Sequence, residues 1–246
     1  MVVNRDEHRG RATSFGGVAG AYERARPEYP ADAVRWLAGA VPADVVDLGA
    51  GTGKLTRGLV ARGHRVTAVE PLPEMLEKLR RAVPEAQAVA GSAEEIPLPD
   101  ASADVVVCAQ AFHWVDQPVA LREIARVLHP GGRVGLVWNA RDDREPWAAT
   151  LSETIGSESV EENDAKEPIT ASGLFGPVES ASFDFAQRVD RELLLDLVLS
   201  RSYCAVMELE EQDEVLGRVG AIYDANAGAG GLDLPYTTEC FRAARL

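Results

Sequence analysis

From Val45 to Lys54 the chain reads Val45-Val46-Asp47-Leu48-Gly49-Ala50-Gly51-Thr52-Gly53-Lys54, a short apolar strand joined to a helix through glycines at alternate positions. Glycine lets the backbone turn through conformations closed to other residues and lets a ligand approach the main chain. The helix that follows, expected over Leu55 to Arg62, points its free N–H groups and positive dipole end at an anion. A dinucleotide fingerprint would need a further glycine three residues after Gly51, to pack helix on strand around a pyrophosphate. That position is Lys54. The turn fits S-adenosylmethionine (SAM) better: Asp47 precedes it, and Gly49, Ala50 and Gly51 offer main-chain groups to one methionine carboxylate and ammonium.

An ordered series of features follows. Arg65-Val66-Thr67-Ala68-Val69-Glu70 is a second apolar run, ending in an acid nineteen residues after Gly51. A carboxylate at such a strand tip can accept the ribose hydroxyls of an adenosyl group. Pro71 and Leu72 then hold Glu70 extended and offer an apolar surface to adenine. Ala88 to Pro97 reads as a strand leaving into a turn, where Ser92 and the Ala93 amide meet the edge of the ring. Ser92 is equally open to a capping role, with Glu95 three residues on. Asp104 to Gln110 and Arg133 to Trp138 are further apolar strands, separated by a helical stretch from Val119 to Leu128. Near-continuous apolar strands alternating with amphipathic helices imply a parallel sheet covered on both faces, with ligands at the strands' carboxyl ends.

Asp47-Leu48-Gly49-Ala50-Gly51-Thr52-Gly53, Glu70-Pro71-Leu72, Gly91-Ser92-Ala93-Glu94, Phe112-His113-Trp114 and Leu128-His129-Pro130-Gly131-Gly132-Arg133 together resemble the class I SAM-dependent methyltransferases of the small-molecule type 11 group. The N-terminal run Phe15 to Pro30, with Tyr22-Glu23-Arg24-Ala25-Arg26-Pro27, is similar to the lid segment of the branch that includes trans-aconitate methyltransferase-like proteins. The sequence departs from many relatives at the adenine edge, where Ser92 replaces Asp. The resemblance implies an α/β, Rossmann-like fold with a seven-stranded, mostly parallel sheet, helices on both faces, the last strand antiparallel and a helical insertion before it. It also implies SAM as cofactor, S-adenosylhomocysteine as product and a small-molecule methyl acceptor.

The 246 residues suffice for a large core and sit near the upper size of one domain. We divide them into a lid segment and first helix (1–40), a SAM-binding core (41–140) and a completion of the sheet with a substrate-covering insertion (141–246). With 39 acidic against 25 basic residues the formal net charge is −14, which argues against nucleic acid and anionic membrane surfaces as partners. No apolar run approaches membrane-spanning length, and a cytoplasmic location is expected. Cys108, Cys204 and Cys240 are widely separated and suggest neither a disulfide framework nor a zinc site.

Beyond Trp138 the pattern loosens. Asn139 to Pro146 reads as a polar loop, and Ser157 to Pro168, with five acids against Lys166, as a mobile surface segment. Val178 to Phe185 and Leu234 to Ala243 read as strands, separated by helical stretches from Arg191 to Arg201 and Glu210 to Tyr223, with a short flexible loop over Asn226 to Gly231.

Transfer of an activated methyl group demands that a nucleophile be placed in line and water excluded. Gln110, His113 and Trp114 lie where the fourth strand ends. His113 is open to two roles, general base for a hydroxyl or amine or packing beside Trp114; Trp114 forms an apolar wall or faces the sulfonium. Tyr22 and Arg26 share a face if their segment is helical, and the resemblance favours Arg26 on the methionine carboxylate or an anionic substrate over a plain surface role. Arg201-Ser202-Tyr203 is either a helix terminus or a polar trio reaching the pocket, with Tyr203 as a pocket residue. Asp142 and Asp143 lack a partner acid, so no metal is expected. A non-methylating enzyme of the same fold, a non-catalytic SAM-binding subunit, and either a monomer or a homodimer remain open.

Overall fold

A computed structural model of the chain describes residues 23–156, 162–201, 204 and 207–246. The elements run α1 (Ala31–Ala38), β1 (Asp44–Leu48), α2 (Lys54–Val60), β2 (Arg65–Glu70), α3 (Pro73–Ala82), β3 (Gln87–Ala90), β4 (Ala103–Ala109), α4 (Gln117–Val127), β5 (Leu128–Arg141), α5 (Pro146–Ile155), α6 (Glu162–Ser172), β6 (Glu179–Val189), α7 (Arg191–Leu199), α8 (Leu209–Asn226) and β7 (Leu232–Ala244). The seven strands form one sheet in the order β3-β2-β1-β4-β5-β7-β6, with β7 antiparallel and helices on both faces, a Rossmann-like methyltransferase fold.

The sheet explains why β1 and β4 are almost uninterrupted apolar runs. β1 pairs in parallel with β2 (Val45 opposite Val66) and with β4 (Val45 opposite Val105), so both of its faces are covered. Side chains alternate across a strand. Val46, Leu48, Val106 and Cys108 therefore enter one core with Leu121 and Ile124 of α4 and Trp138 of β5. Val45, Val105 and Val107 enter a second core with Val34 and Leu37 of α1 and Leu55 and Leu59 of α2.

The described residues divide into two compact units. One draws on Glu28–Trp138, Val160–Phe183 and Thr238–Leu246, and contains both of those cores. The other draws on the described residues of 23–27, 139–156 and 184–237. Its own core gathers Leu151 and Ile155 of α5, Leu194, Leu197 and Val198 of α7, Val215 and Val219 of α8, and Tyr236 of β7, with Phe185 stacked on Tyr236 at 5.3 Å between ring centroids.

Several readings of the sequence are corrected here. β5 runs on to Arg141, so Asn139 to Arg141 is strand, not loop; Asn139 and Arg141 are both buried. Burial is tolerable because Arg141 donates from Nε to Ser152 Oγ (2.9 Å) and from Nη2 to the Gly156 carbonyl. Residues 157–161 lie outside the described set, but 162–168, read as surface segment, opens helix α6, which seats Ala165 and Ile169 in the core. Ser92 stands at a turn rather than at a helix start, facing Glu95 across an isolated antiparallel bridge. Among the described residues no helix is long and apolar enough to cross a membrane.

Candidate functional site

The glycine turn leaves β1 with three left-handed glycines, Gly49 (φ 64°), Gly51 (φ 58°) and Gly53 (φ 95°). At Gly49 the conformation and the space both require glycine, since an added Cβ would stand 2.8 Å from Ala111 Cβ. At Gly51 no described residue lies within 4 Å of the added atom, so among the described residues the turn presents bare backbone.

The amides of this turn are already engaged. Gly49 N and Ala50 N donate to the Val69 carbonyl (2.9 and 3.2 Å), Gly53 N to the Ala50 carbonyl (2.9 Å), and Gly51 N to Glu70 Oε2 (2.8 Å). The end of β2 thus takes the N–H groups of Gly49, Ala50 and Gly51. Glu70, at the tip of β2, also accepts Leu72 N on Oε1 (2.9 Å), so its carboxylate clasps the turn after β1 to the start of α3. Burial raises its pKa while the Leu72 and Gly51 amides pull it down. Each carboxylate oxygen has a second acceptor position beyond the bond it makes.

Asp47 is wholly buried, and its Oδ2 accepts the Thr56 hydroxyl at 2.6 Å. The Thr56 backbone N–H also bonds to it, so the N-terminal turn of α2 already holds an internal carboxyl group. Oδ1 has no hydrogen-bond partner among the described residues. Burial above all, with the neighbouring Glu70 charge adding to it, pushes the Asp47 carboxyl up to about 7 despite the Thr56 bonds. Thr56 and Glu28 were not singled out from the sequence. Glu28 receives Lys54 Nζ (3.5 Å) and Arg57. The acid-threonine spacing of nine residues across a glycine turn was the available signal for Thr56.

At the end of β4, Gln110 holds φ 56°, a left-handed conformation that is costly for a residue with a side chain and that clusters at functional sites. Its N–H donates to the Val137 carbonyl (2.9 Å). The next residue, Ala111, is the one that touches Gly49. A 3-10 turn follows over Phe112 to Trp114, anchored by the buried Phe112. His113 is exposed, Trp114 is half-buried, and their rings lie 4.7 Å apart at 46°. Pro71 is exposed, Leu72 and Ser92 are half-buried, and Ala93 is buried in the core.

The structure therefore brings together Asp47, the turn from Gly49 to Gly51, Glu70, Leu72 and, through Ala111, Gln110. It makes Arg26 Nε a donor to Ser200 Oγ (2.9 Å). Tyr22 and Tyr203 lie outside the described residues. Arg201 is a helix terminus, its N–H bonded to the Val198 carbonyl and its Nη2 to that of Gly156 (3.2 Å). Asp142 pairs with Arg144 and Asp143 accepts Ser152 Oγ. Among the described residues no three His, Cys, Asp or Glu side chains gather as a metal site.

Residues 46–136 match the sequence profile of a family described as a methyltransferase domain of type 11. An uncharacterized methyltransferase of Mycobacterium tuberculosis is 48% identical over 238 residues, covering 96% of this chain and 97% of the relative. The chain belongs to the class I SAM-dependent methyltransferases. This methyltransferase is also 33% identical over 167 residues to a malonyl-[acyl-carrier protein] O-methyltransferase of Halorhodospira halophila, covering 63% of the one and 57% of the other. A solved structure from Anaeromyxobacter dehalogenans, provisionally described as a type II methyltransferase, superposes with a TM-score of 0.65 at 25% identity, covering 89% of this methyltransferase and 97% of that chain. The family uses SAM. Two observations in the methyltransferase fit that cofactor: the open side of Gly51, where backbone can be approached, and the orphaned Oδ1 of Asp47, which calls for a cationic donor.

Proposed function

We propose that this methyltransferase moves a methyl group from SAM to an oxygen or nitrogen of a small organic molecule. The observation that carries the reading is the clasp of Glu70 across the glycine turn, which fixes a buried carboxylate beside exposed backbone at the carboxyl ends of β1 and β2. SAM supplies a methyl group activated by positive sulfur.

The chain's own residues bind and orient. Glu70, with its remaining acceptor positions, takes the ribose hydroxyls; Pro71 and Leu72 lie along adenine, and Ser92 and the Ala93 amide meet its edge. Asp47 Oδ1 accepts the ammonium, and bare backbone at Gly51 allows close approach. Gln110 positions the methionine end, and Trp114 walls the acceptor. His113, exposed beside Trp114, takes a proton from a hydroxyl or amine acceptor; a carboxylate acceptor needs no base. The name of the Halorhodospira relative favours oxygen, and the resemblance of Tyr22 to Pro27 to the trans-aconitate methyltransferase-like branch favours a carboxylic acid.

Calorimetry with SAM and S-adenosylhomocysteine, followed by radiolabelled methyl transfer to a panel of carboxylic acids, phenols and amines, tests the reading. Tight binding with label on one acceptor class is the expected result. Absence of binding overturns it. His113→Ala with unchanged turnover removes the base role.

A further inference from the structure

Asp47 sits one residue before the end of β1, flanked by β2 and β4 and with no exposure to solvent. One of its oxygens is satisfied by Thr56 of α2; the other meets no donor among the described residues. An ionised carboxylate oxygen with no donor in a protein core is costly, and it is relieved either by a proton or by a cationic donor.

Among the described residues, the charged and titratable groups that bear on Asp47 supply no such cation. Glu70 of β2 is a second buried carboxylate, and two backbone N–H groups donate to it. Cys108 of β4, which pairs with Leu48 next to Asp47, is a thiol held neutral above all by burial. From α2, Lys54 and Arg57 are paired with Glu28. Two carboxylates so placed do not both ionise readily, and Asp47, whose Oδ1 meets no donor among the described residues, is the one that takes the proton.

Resting on the cofactor reading above, we propose that Asp47 carries a proton on Oδ1 in the cofactor-free protein and releases it to solvent when the cofactor's ammonium takes its place. The Oδ1–H bond breaks, the proton passes to buffer, and an ammonium N–H donates to the freed oxygen. Cofactor affinity then rises with pH through neutrality. The raised Asp47 pKa accords with this placement. A carboxylate serving only to hold the first turn of α2 would be ionised throughout and would exchange no proton.

The test is calorimetric titration of the full chain with S-adenosylhomocysteine at pH 6.5, in buffers of different ionisation enthalpy. The expected result is release of about three-quarters of a proton per molecule bound, and about eightfold tighter binding at pH 7.5 than at pH 6. Asp47→Asn should bind with neither proton release nor this pH dependence. Should that variant not fold, infrared difference spectroscopy of the unaltered protein at pH 6 gives the same answer: a protonated-carboxyl stretch should vanish as S-adenosylhomocysteine is added. Normal binding heat with no proton exchange, or a carboxyl band that is unmoved, overturns the proposal while leaving the cofactor reading intact. Absence of binding removes the cofactor reading, and this inference with it.

Discussion

Replacing Glu70 with Ala tests the joint on which the site is built. The carboxylate holds the Gly51 and Leu72 amides at 2.8 and 2.9 Å, and Ala leaves both donors without an acceptor. A hydrogen bond to a charged group contributes roughly 1.5–3 kcal/mol, so the gross loss is about 3–6 kcal/mol. Part is recovered because Glu70 is only 4% exposed, and removing a buried carboxylate returns its desolvation cost. The net destabilisation should be about 2–4 kcal/mol. Glu70→Gln does not rescue it fully: one amide oxygen still accepts, but the amide NH₂ then faces a backbone N–H. Urea denaturation of the cofactor-free variants, read as a shift in midpoint at constant slope, gives the loss directly. Calorimetry with S-adenosylhomocysteine, under conditions where the variants remain folded, gives the accompanying loss of affinity. A stability change below about 0.5 kcal/mol for Glu70→Ala would refute the clasp.

Gly49→Ala should cost about 1–3 kcal/mol and lower the melting temperature, because it meets both a left-handed φ of 64° and Ala111 Cβ at 2.8 Å; an unchanged melting curve would contradict the turn geometry. His64 is buried, among the described residues neither ring nitrogen is hydrogen-bonded, and burial, aided by Arg62 and Arg133, lowers its pKa. The unfolded chain therefore binds the proton more readily. Stability that is full above the unfolded value near 6.5 should fall as pH drops through the folded value, and His64→Leu should flatten that part of the stability-pH curve measured by denaturation. Cys108, Cys204 and Cys240 are all buried, and burial pushes the Cys240 thiol up to about 12; a thiol reagent should label none of them rapidly at pH 8 until denaturant is added.

The alternating strands and helices from Val45 to Trp138 were legible because a strand buried on both faces must be apolar throughout, and each such run is bounded by a glycine turn, an acid or a proline. The tip of β2 was equally plain, since Glu70 follows five residues of strand and precedes Pro71. The polar end of β5 was not. Asn139 and Arg141 look like loop residues, and only Ser152 and Gly156, from a helix not yet formed in the linear reading, make their burial tolerable. Helix α6 was hidden in the same way. Its acids dominate the composition, whereas Ala165 and Ile169, four residues apart, carry its packing.

The sequence by itself determined the fold class and the residue types at the cofactor turn, because periodicity and glycine placement act over a few neighbouring residues. Tertiary structure decided which donors those residues meet. Glu70 reaches Gly51 across nineteen positions and Asp47 meets Thr56 across nine, leaving one buried oxygen with no partner. Hydrogen-bond satisfaction and burial depend on which strands and helices lie side by side, and that neighbourhood exists only once the sheet is assembled.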